Sequence, residues 1–336
     1  MVINLMTFFF RNLILYIFFK CFFLTFAIAD INDANFQDWL VEYKKYALNE
    51  GVSEETLDLA FKNVKYLKKV IGYDRKQPEF YEDTLTYVNK RASDFRKIKA
   101  RILLRENNLL FNEVEQTFNV QKEILLALWG IETNFGKHVG KMDIISCLAT
   151  LSFDKRRSKY LSSELTILLK LVDKKLIDPD TLYGSWAGAY GNFQFMPSTI
   201  SNYAIDYDKN NKIELKKSLK DAVASAANYI NKIGWDKSMP CFYRVKLTKK
   251  INKKYINTSA RNISNSLKIS KWIKKGIVSF DGSELKSIYN AALIIPDGKV
   301  GTPSYLVFKN YEKILKWNRS LRFGISVCTL AEKIKT

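Results

Sequence analysis

One apolar helix with a sharply defined end constrains this chain most. Residues 121–133 have helical periodicity, and Asn134 and Gly136 are typical residues just beyond a helix end. The inward positions follow the spacing i, i+4 and i+7: Ile124, Leu128 and Ile131. Glu132 lies four residues after Leu128, on the shoulder of that apolar face. Two interpretations follow, a solvated glutamate at a helix end and a partly desolvated carboxyl group that keeps its proton and can donate it.

The rest of the chain predicts a mainly α (α+β) fold. Of its 336 residues 47% are hydrophobic, and 14 glycines and six prolines are few. Helices are expected at 85–105, 160–176, 218–233 and 323–334, the first with Val88, Phe95, Ile98 and Ile102 inward. Residues 241–247 alternate with period two, and 289–295 and 305–308 also resemble strands. We therefore predict an N-terminal helical region at 30–110, a second helical region at 111–236 and 309–336, and a small β-containing insertion at 237–308.

The first 29 residues have the pattern of a secretory signal. A basic residue, Arg11, and a long apolar run precede Ala27-Ile28-Ala29, so cleavage is expected after Ala29. Lys20 interrupts the apolar run, which disfavours a transmembrane anchor. An uncleaved anchor is the alternative, and contact with the membrane is expected only if the segment is retained.

The charge of the chain favours an anionic partner. The formal net charge is +20, and it becomes +18 without residues 1–29, which contain Arg11 and Lys20 and no acidic residue. For an exported protein, the expected partners are a cell-wall polymer or anionic lipid headgroups. No nucleic acid is expected, because the signal directs the chain away from it.

Cysteines and histidine exclude several kinds of site. Cys147, Cys241 and Cys328 follow the signal, and no CxxC or Cys/His cluster occurs, so a zinc or redox motif is disfavoured. Buried thiols and a single disulfide in an oxidising compartment both remain open. The one histidine, His138, is expected to be a loop residue, which disfavours histidine-based triads and multi-histidine metal sites.

Residues 184–197 mix small, polar and aromatic side chains. The glycines allow a ligand to approach the backbone, and Ser185, Asn192 and Gln194 offer hydrogen bonds. Four aromatic side chains offer flat apolar faces: Trp186, Tyr190, Phe193 and Phe195. Sugar rings need this combination of stacking faces and polar edges. The alternative is a tightly packed buried turn.

A third segment resembles half of a calcium loop. Asp206, Asp208 and Asn210 have the spacing of the first three EF-hand ligands. Lys217 stands where the bidentate glutamate belongs, but Asp221 on the next helix can supply a carboxylate. The alternative is an Asx-rich turn without metal.

Together these segments resemble the membrane-bound lytic murein transglycosylase B family, from Phe36 to about Ile334. The segments that carry the resemblance are 129–136, 149–153, Arg156-Arg157 with Tyr160, 185–197, 206–214, 227–229 and 317–320. The resemblance implies a glycan-strand substrate and a lysozyme-like fold. Its catalytic core would be residues 111–236 and 309–336, with an N-terminal helical domain at 30–110 and the small β domain at 237–308 inserted into the core. Glu132 matches the catalytic acid/base of that family. Four further positions match its glycan groove: Ser185, Gln194, Tyr229 and Asn318.

The resemblance also implies two neighbouring binding sites. Arg156, Arg157 and Tyr160 match groove residues that meet the peptide-bearing sugar, although a solvated basic loop is the alternative. A structural calcium ion would be held by Asp206, Asp208, Asn210, the Lys212 carbonyl and Asp221. One extra residue separates the loop from Asp221 in this chain. No cofactor is implied for the chemistry itself.

The implied reaction breaks the β-1,4 bond between N-acetylmuramic acid and N-acetylglucosamine in peptidoglycan. It leaves 1,6-anhydro-muramic acid ends and takes place in the periplasm, and other cell-wall enzymes are possible partners. A hydrolytic muramidase is the alternative enzyme, with Asp143 or Asp154 as a second carboxylate. A non-catalytic murein-binding scaffold is the alternative from another class.

Overall fold

The computed structural model describes residues 33–75 and 82–335. The predicted signal at residues 1–29 lies outside them. The helices are α1 (33–49), α2 (Glu54–Phe61), α3 (Lys68–Arg75), α4 (Thr84–Arg91), α5 (Asp94–Glu106), α6 (Asn108–Phe118), α7 (Lys122–Thr133), α8 (Ile144–Phe153), α9 (Ser158–Asp173), α10 (Pro197–Tyr203), α11 (Leu219–Lys232), α12 (Ile269–Lys274), α13 (Lys309–Trp317) and α14 (Leu321–Lys335). The strands are β1 (Met142–Asp143), β2 (Tyr183–Gly184), β3 (Phe242–Leu247), β4 (Ile256–Asn257), β5 (Leu267–Lys268), β6 (Ile277–Ser279), β7 (Asn290–Ile294) and β8 (Ser304–Val307).

Helix α7 runs through the main hydrophobic core. Every residue from Ile124 to Gly130 is buried, and α14 packs along it. Helices α8, α9 and α11 complete this core, which also takes in the buried faces of the first helices. The predicted helices at 121–133, 160–176, 218–233 and 323–334 are therefore confirmed to within a few residues.

Polar contacts fasten the N-terminal helices to α9. Ser53 caps α2, and its hydroxyl also donates to Asp173 at the end of α9. Thr56 donates to the same carboxylate at 2.7 Å. The hydroxyl groups of Tyr43 and Thr166 are also 2.7 Å apart. These hydrogen bonds join α1 and α2 to α9 at defined positions.

The expectation of one long helix at 85–105 is wrong. The chain breaks between α4 and α5, where Ser93 caps α5 by accepting from the Arg96 amide. Phe95, Ile98 and Ile102 were expected to face inward, but they are 67%, 58% and 39% exposed. The buried face of α5 instead carries Ala100 and the half-buried Arg96. The Ser-Asp cap signal at 93–94 outweighs the apolar periodicity.

Arg96 explains why α5 faces this way. Its Nε donates to the Gly130 carbonyl of α7 at 3.0 Å, and its Nη1 donates to the Lys90 carbonyl of α4 at 2.7 Å. Burial lowers the pKa of Arg96, with a smaller effect from Arg91. One guanidinium thus joins three helices, and it can do so only if its side of α5 is turned towards α7.

The strands beyond residue 241 form one small sheet with its own core. The order is β4-β7-β8-β3-β6, in which β3 pairs antiparallel with both β8 and β6. The second apolar cluster lies against it, around the fully buried Trp272. The predicted strands at 241–247, 289–295 and 305–308 are confirmed, whereas the division into domains stays a prediction.

A disulfide connects this sheet to the helical core. Cys241, just before β3, is bonded to Cys328 of α14, and their Cα atoms are 6.0 Å apart. Cys147 is a buried free thiol, whose pKa burial raises to about 12. His138 is exposed in a loop, as expected. Within the described residues, no helix has both the length and the apolar character needed to cross a membrane.

Candidate active site

The end of α7 is a tight left-handed turn. Asn134, Phe135 and Gly136 have successive φ values of 50°, 61° and 80°. The turn folds the Phe135 ring back onto the helix, so closely that a Cβ on Gly130 would lie 2.7 Å from a ring atom. This close approach leaves no room for a side chain at position 130, so a glycine is required there. The turn also ends the helix one residue after Glu132 and so fixes the position of that residue.

Asn192 locks this turn to the segment between β2 and α10. Its Oδ1 accepts from Trp129 Nε1 at 3.0 Å, and its backbone oxygen accepts from Thr133 Oγ1 at 2.8 Å. Its Nδ2 donates to the Leu215 carbonyl at 3.1 Å. Asn192 is 7% exposed, so these bonds are shielded from water. The helix end and the predicted sugar-binding segment are therefore held as one unit.

The Glu132 carboxylate lies beside an aromatic cluster. Trp317, the last residue of α13, donates its Nε1 hydrogen to Glu132 Oε1 at 3.1 Å. The Trp317 ring lies 5.1 Å from both Phe195 and Tyr229, centroid to centroid. Glu132 itself is half-buried. The carboxylate is thus oriented by a donor, flanked by apolar rings and still open to solvent on one side.

A cleft of about 630 Å³ opens beside Trp317. It brings together six of the predicted residues: Arg157, Tyr160, Gln194, Phe195, Tyr229 and Asn318. Trp317 and Met196 add apolar surface to the lining, and Lys316 and Arg319 add positive charge. The mixture of rings, amides and guanidinium groups suits a polar polymer with apolar ring faces.

Several of these side chains are held in place by the backbone. Gln194 has a left-handed φ of 52° and donates to the carbonyls of Val139 and Gly191, at 3.1 and 2.9 Å. Tyr229 donates to the Lys316 carbonyl at 3.1 Å. Burial raises the pKa of Tyr229 to about 12, so its hydroxyl is neutral in the physiological range.

Two predicted groove residues have other contacts. The Ser185 hydroxyl accepts from the amides of Ala187 and Ala189, at 3.3 and 3.0 Å, and so shapes the turn after β2. Arg156 Nε is 2.7 Å from the Asp74 carboxylate of α3, and Arg157 is paired with the same carboxylate. Asp74 is only 2% exposed. Asp74 is thus a buried carboxylate shared by two partly exposed arginines, of which only Arg157 also lines the cleft.

The calcium-like loop brings three carboxylates together. The ligand oxygens of Asp206, Asp208 and Asp221 lie within 4.8 Å of one another. Asp221 is fully buried and accepts from the amides of Tyr207 and Glu214, both at 2.9 Å. Burial raises the pKa of Asp221, while these backbone hydrogen bonds oppose the rise. An all-oxygen, anionic donor set of this kind fits a hard divalent cation.

Comparison with known proteins identifies the family. The family described as "Transglycosylase SLT domain" matches residues 35–332. The chain belongs to this family. It is 31% identical over 228 residues to membrane-bound lytic murein transglycosylase B of Escherichia coli K12, which covers 66% of this chain and 59% of that relative. The match therefore spans less than two thirds of the relative's length.

Two solved structures of transglycosylases have the same fold. SltB3 from Pseudomonas aeruginosa, in complex with NAG-anhNAM-pentapeptide, has a TM-score of 0.82 and 30% identity and covers 89% of this chain and 79% of that one. Escherichia coli Slt35, in complex with calcium, has a TM-score of 0.72 and 27% identity, with coverages of 90% and 93%. The fold is therefore that of the lysozyme-like lytic transglycosylases, as expected.

Two side chains of this transglycosylase-family site, Trp317 and Glu164, were not predicted individually. Trp317 lies in the segment 317–320, and Asn192 was predicted to offer a hydrogen bond, but nothing local indicated the partners of either residue. Glu164 is 2% exposed, and its two oxygens accept from the amide and hydroxyl of Ser198, at 2.8 and 2.7 Å, at the start of α10. The sequence could have indicated this buried glutamate, because Glu164 is the one carboxylate on the apolar face of α9, three residues after Leu161.

Proposed function

We propose that this protein is a peptidoglycan lytic transglycosylase in which Glu132 is the sole general acid/base. The observation that carries the proposal is the half-buried Glu132 carboxylate, which accepts a hydrogen bond from Trp317, a residue that lines the aromatic cleft. The relatives' names describe lytic transglycosylases, and SltB3 binds a NAG-anhNAM-pentapeptide. Glycan strands of peptidoglycan are the substrate that follows.

The mechanism needs one carboxyl group in two protonation states. Protonated Glu132 donates its hydrogen to the glycosidic oxygen as that bond breaks, and the N-acetyl carbonyl of the muramic acid stabilises the positive anomeric carbon. Ionised Glu132 then takes the proton from the sugar's C6 hydroxyl, which bonds to the anomeric carbon and closes the 1,6-anhydro ring. No water is consumed. Trp317 Nε1 is placed to stabilise the ionised form through its hydrogen bond.

The contacts of Asp143 and Asp154 favour this route over a two-carboxylate hydrolase. Asp143 accepts from the Ile145 amide at 3.1 Å and so caps α8. Asp154 is paired with Arg75 at 3.3 Å. Both candidates for a second catalytic carboxylate therefore have structural partners of their own.

The test combines one variant with one product measurement. In Glu132→Gln, the amide oxygen can still accept the hydrogen bond from Trp317, but the amide cannot act as a general acid or base. Turnover should therefore fall by at least about 100-fold while glycan binding persists. Glu123→Gln, the same change in the first turn of α7, is the matched control. Products from purified sacculi should be lighter by one water than hydrolysis products. Substantial activity in Glu132→Gln, or products with the added water, would refute the proposal.

We infer in addition that the 206–214 loop and Asp221 hold a structural calcium ion. The support is the three clustered carboxylates, the burial of Asp221 and the left-handed φ values of Lys209 and Asn211, 61° and 66°, which curl the loop around them. Calcium would supply charge compensation for Asp221 and no chemistry. Calcium at 100 times its Kd should add about 2.7 kcal/mol to the free energy of unfolding. Asp206→Ala should abolish that gain. An equal gain in the wild type and the variant would show that this loop is a turn that does not bind calcium.

We also infer export to the periplasm through the signal at residues 1–29. The Cys241–Cys328 disulfide supports an oxidising compartment. The Escherichia coli relative is named as membrane-bound. Fractionation of cells that express the full chain tests this inference, and a cytoplasmic product with both thiols reduced would contradict it.

A further inference from the structure

Asn192 forms hydrogen bonds in two directions. Towards α7, its Oδ1 accepts from Trp129 and its carbonyl accepts from Thr133, both near the end of the helix. In the other direction, its backbone amide donates to the Leu215 carbonyl at 2.9 Å. Its Nδ2 donates to the carbonyls of Leu215 and Lys216, at 3.1 and 3.2 Å. Leu215 and Lys216 directly follow the calcium-like loop, so one residue joins that loop to the helix end that carries the acid/base.

The contact between the end of this loop and Asn192 is tightly packed. Leu215 is 2% exposed and lies against Gly191, the neighbour of Asn192. A Cβ on Gly191 would lie 2.7 Å from both the Cβ and the carbonyl oxygen of Leu215. Groups packed this closely cannot change position independently, so a displacement of Leu215 also displaces Asn192.

The carboxylates of the calcium-like loop hold the chain on both sides of Leu215. Asp221 Oδ2 accepts from the Glu214 amide at 2.9 Å, one residue before Leu215. Asp208 Oδ2 accepts from the Ser218 hydroxyl at 2.9 Å, three residues after it. The three carboxylates of this site lie within 4.8 Å of one another, so their charges repel unless a cation compensates them. The position of residues 214–218 therefore depends on a bound cation.

We propose that Asn192 is a positioning residue that couples calcium in this loop to the geometry of Glu132. The proposal rests on the proposed function and on the calcium site inferred with it. With calcium, residues 214–218 hold Asn192, and Asn192 holds the end of α7 so that Glu132 meets Trp317 Nε1. Without calcium, repulsion between the carboxylates displaces residues 214–218, and Asn192 releases the helix end. Calcium thus controls the acid/base without taking part in the chemistry.

The first experiment measures binding alone. Gln194 and Phe195, which line the cleft, follow Asn192 closely in sequence, so the coupling extends to glycan affinity. In Glu132→Gln, which leaves the glycan uncleaved, calcium chloride should raise the affinity for soluble glycan fragments by about 5- to 150-fold. The fragments should raise the affinity for calcium by the same factor, because coupling between two binding sites is reciprocal. Isothermal titration calorimetry measures both factors.

The second experiment observes the helix end directly. The amides of Asn134 and Phe135 donate to carbonyls of α7, both at 3.2 Å. With calcium, these two amides should exchange with solvent at least about five times more slowly, because the end of α7 opens less often. The Phe280 amide, which donates to the Arg244 carbonyl at 3.0 Å in the sheet, should keep its rate of exchange.

Two variants test the role of Asn192. Asn192→Ala should abolish the calcium effect on exchange and on glycan affinity, while calcium still raises the melting temperature. Its kcat should be about tenfold below that of the calcium-loaded wild type, with or without calcium. Asn192→Asp keeps an acceptor for Trp129 but places an oxygen against the carbonyls of residues 215–216, so it should also lose the coupling. Asn231→Ala is the matched control, because Asn231 Nδ2 donates to the Phe118 carbonyl instead, at 2.8 Å; it should keep the full coupling.

The outcomes separate the coupling from the proposed function. If calcium raises the melting temperature but changes neither exchange at Asn134 and Phe135 nor glycan affinity, the coupling is overturned, and the calcium site and the transglycosylase stand. Full coupling in Asn192→Ala or Asn192→Asp overturns the role of Asn192. A wild type that does not bind calcium overturns the calcium site and the coupling together. A wild type that cleaves no glycan, with or without calcium, overturns the proposed function, whereas calcium-dependent exchange at the helix end would still support the coupling.

Discussion

Replacing Trp317 by phenylalanine isolates one hydrogen bond of the candidate active site. The substitution removes the Nε1 donor that lies 3.1 Å from Glu132 Oε1. It keeps an aromatic ring against Phe195 and Tyr229, whose centroids are both 5.1 Å from that of Trp317. The main loss is therefore the donor, with a smaller loss of ring area.

The size of the effect follows from the charge of the acceptor. A hydrogen bond to a charged group contributes about 1.5–3 kcal/mol. At about 1.36 kcal/mol for each factor of ten in rate, kcat should fall by about 10- to 150-fold. KM should change less, because the bond holds the acid/base rather than the substrate. The smaller ring should cost about 1 kcal/mol of folding stability, since Trp317 is only partly buried.

Release of soluble fragments from purified sacculi measures kcat, and thermal melting measures stability. Trp272→Phe is the matched control, because Trp272 Nε1 donates to the Ala291 carbonyl at 2.7 Å in the core of the sheet. That variant should lose stability and keep its turnover. If Trp317→Phe turns over as fast as the wild type, then the hydrogen bond does not orient Glu132 and the reasoning fails.

Three further predictions concern the scaffold. Asn192→Ala leaves the buried Trp129 Nε1 without its acceptor, so the free energy of unfolding measured in urea should fall by about 2–4 kcal/mol. A loss below about 1 kcal/mol would show that Asn192 does not stabilise the end of α7. Asp74→Asn should lower the free energy of unfolding by about 1–3 kcal/mol. The loss is smaller than for a fully buried ion pair, because the side chains of Arg156 and Arg157 are 47% and 36% exposed. An unchanged melting temperature would contradict the shared ion pair. Ile98→Gln should change the free energy of unfolding by less than about 0.5 kcal/mol, because Ile98 is 58% exposed. Leu126 is fully buried in α7, so Leu126→Ala should lower it by about 2–5 kcal/mol. Equal losses would mean that the face of α5 that carries Ile98 is buried.

Local patterns were enough to predict most elements of this fold. The apolar spacing in α7, α9, α11 and α14 has the helical period, and the alternation in β3 has the period of a strand. Both depend only on neighbours within one element. The error at α4 and α5 has the same origin, since Phe95, Ile98 and Ile102 fit a helical face and only the packing of Arg96 decides which face is buried.

The site could be predicted only in part, because its contacts join distant positions. Glu132 and Trp317 are 185 residues apart, and Asp74 lies 83 residues before Arg157. No periodicity links such pairs. The resemblance to a family supplied Gln194, Tyr229 and Asn318, which line the cleft, but it could not reveal that the Ser185 hydroxyl is occupied by backbone amides.

The Cys241–Cys328 bond has a consequence for how the chain must mature. Three cysteines lie in the described residues, so three pairings are possible and only one is native. The native bond spans 87 residues of sequence, whereas Cys147 is 94 residues before Cys241, so loop length alone barely favours the correct choice. In the folded structure Cys147 of α8 is fully buried, so the packing of α8 removes this thiol from exchange with the other two cysteines. Oxidation before α8 has packed would trap the chain, and a disulfide isomerase or a Cys147→Ser substitution would then raise the yield of active protein.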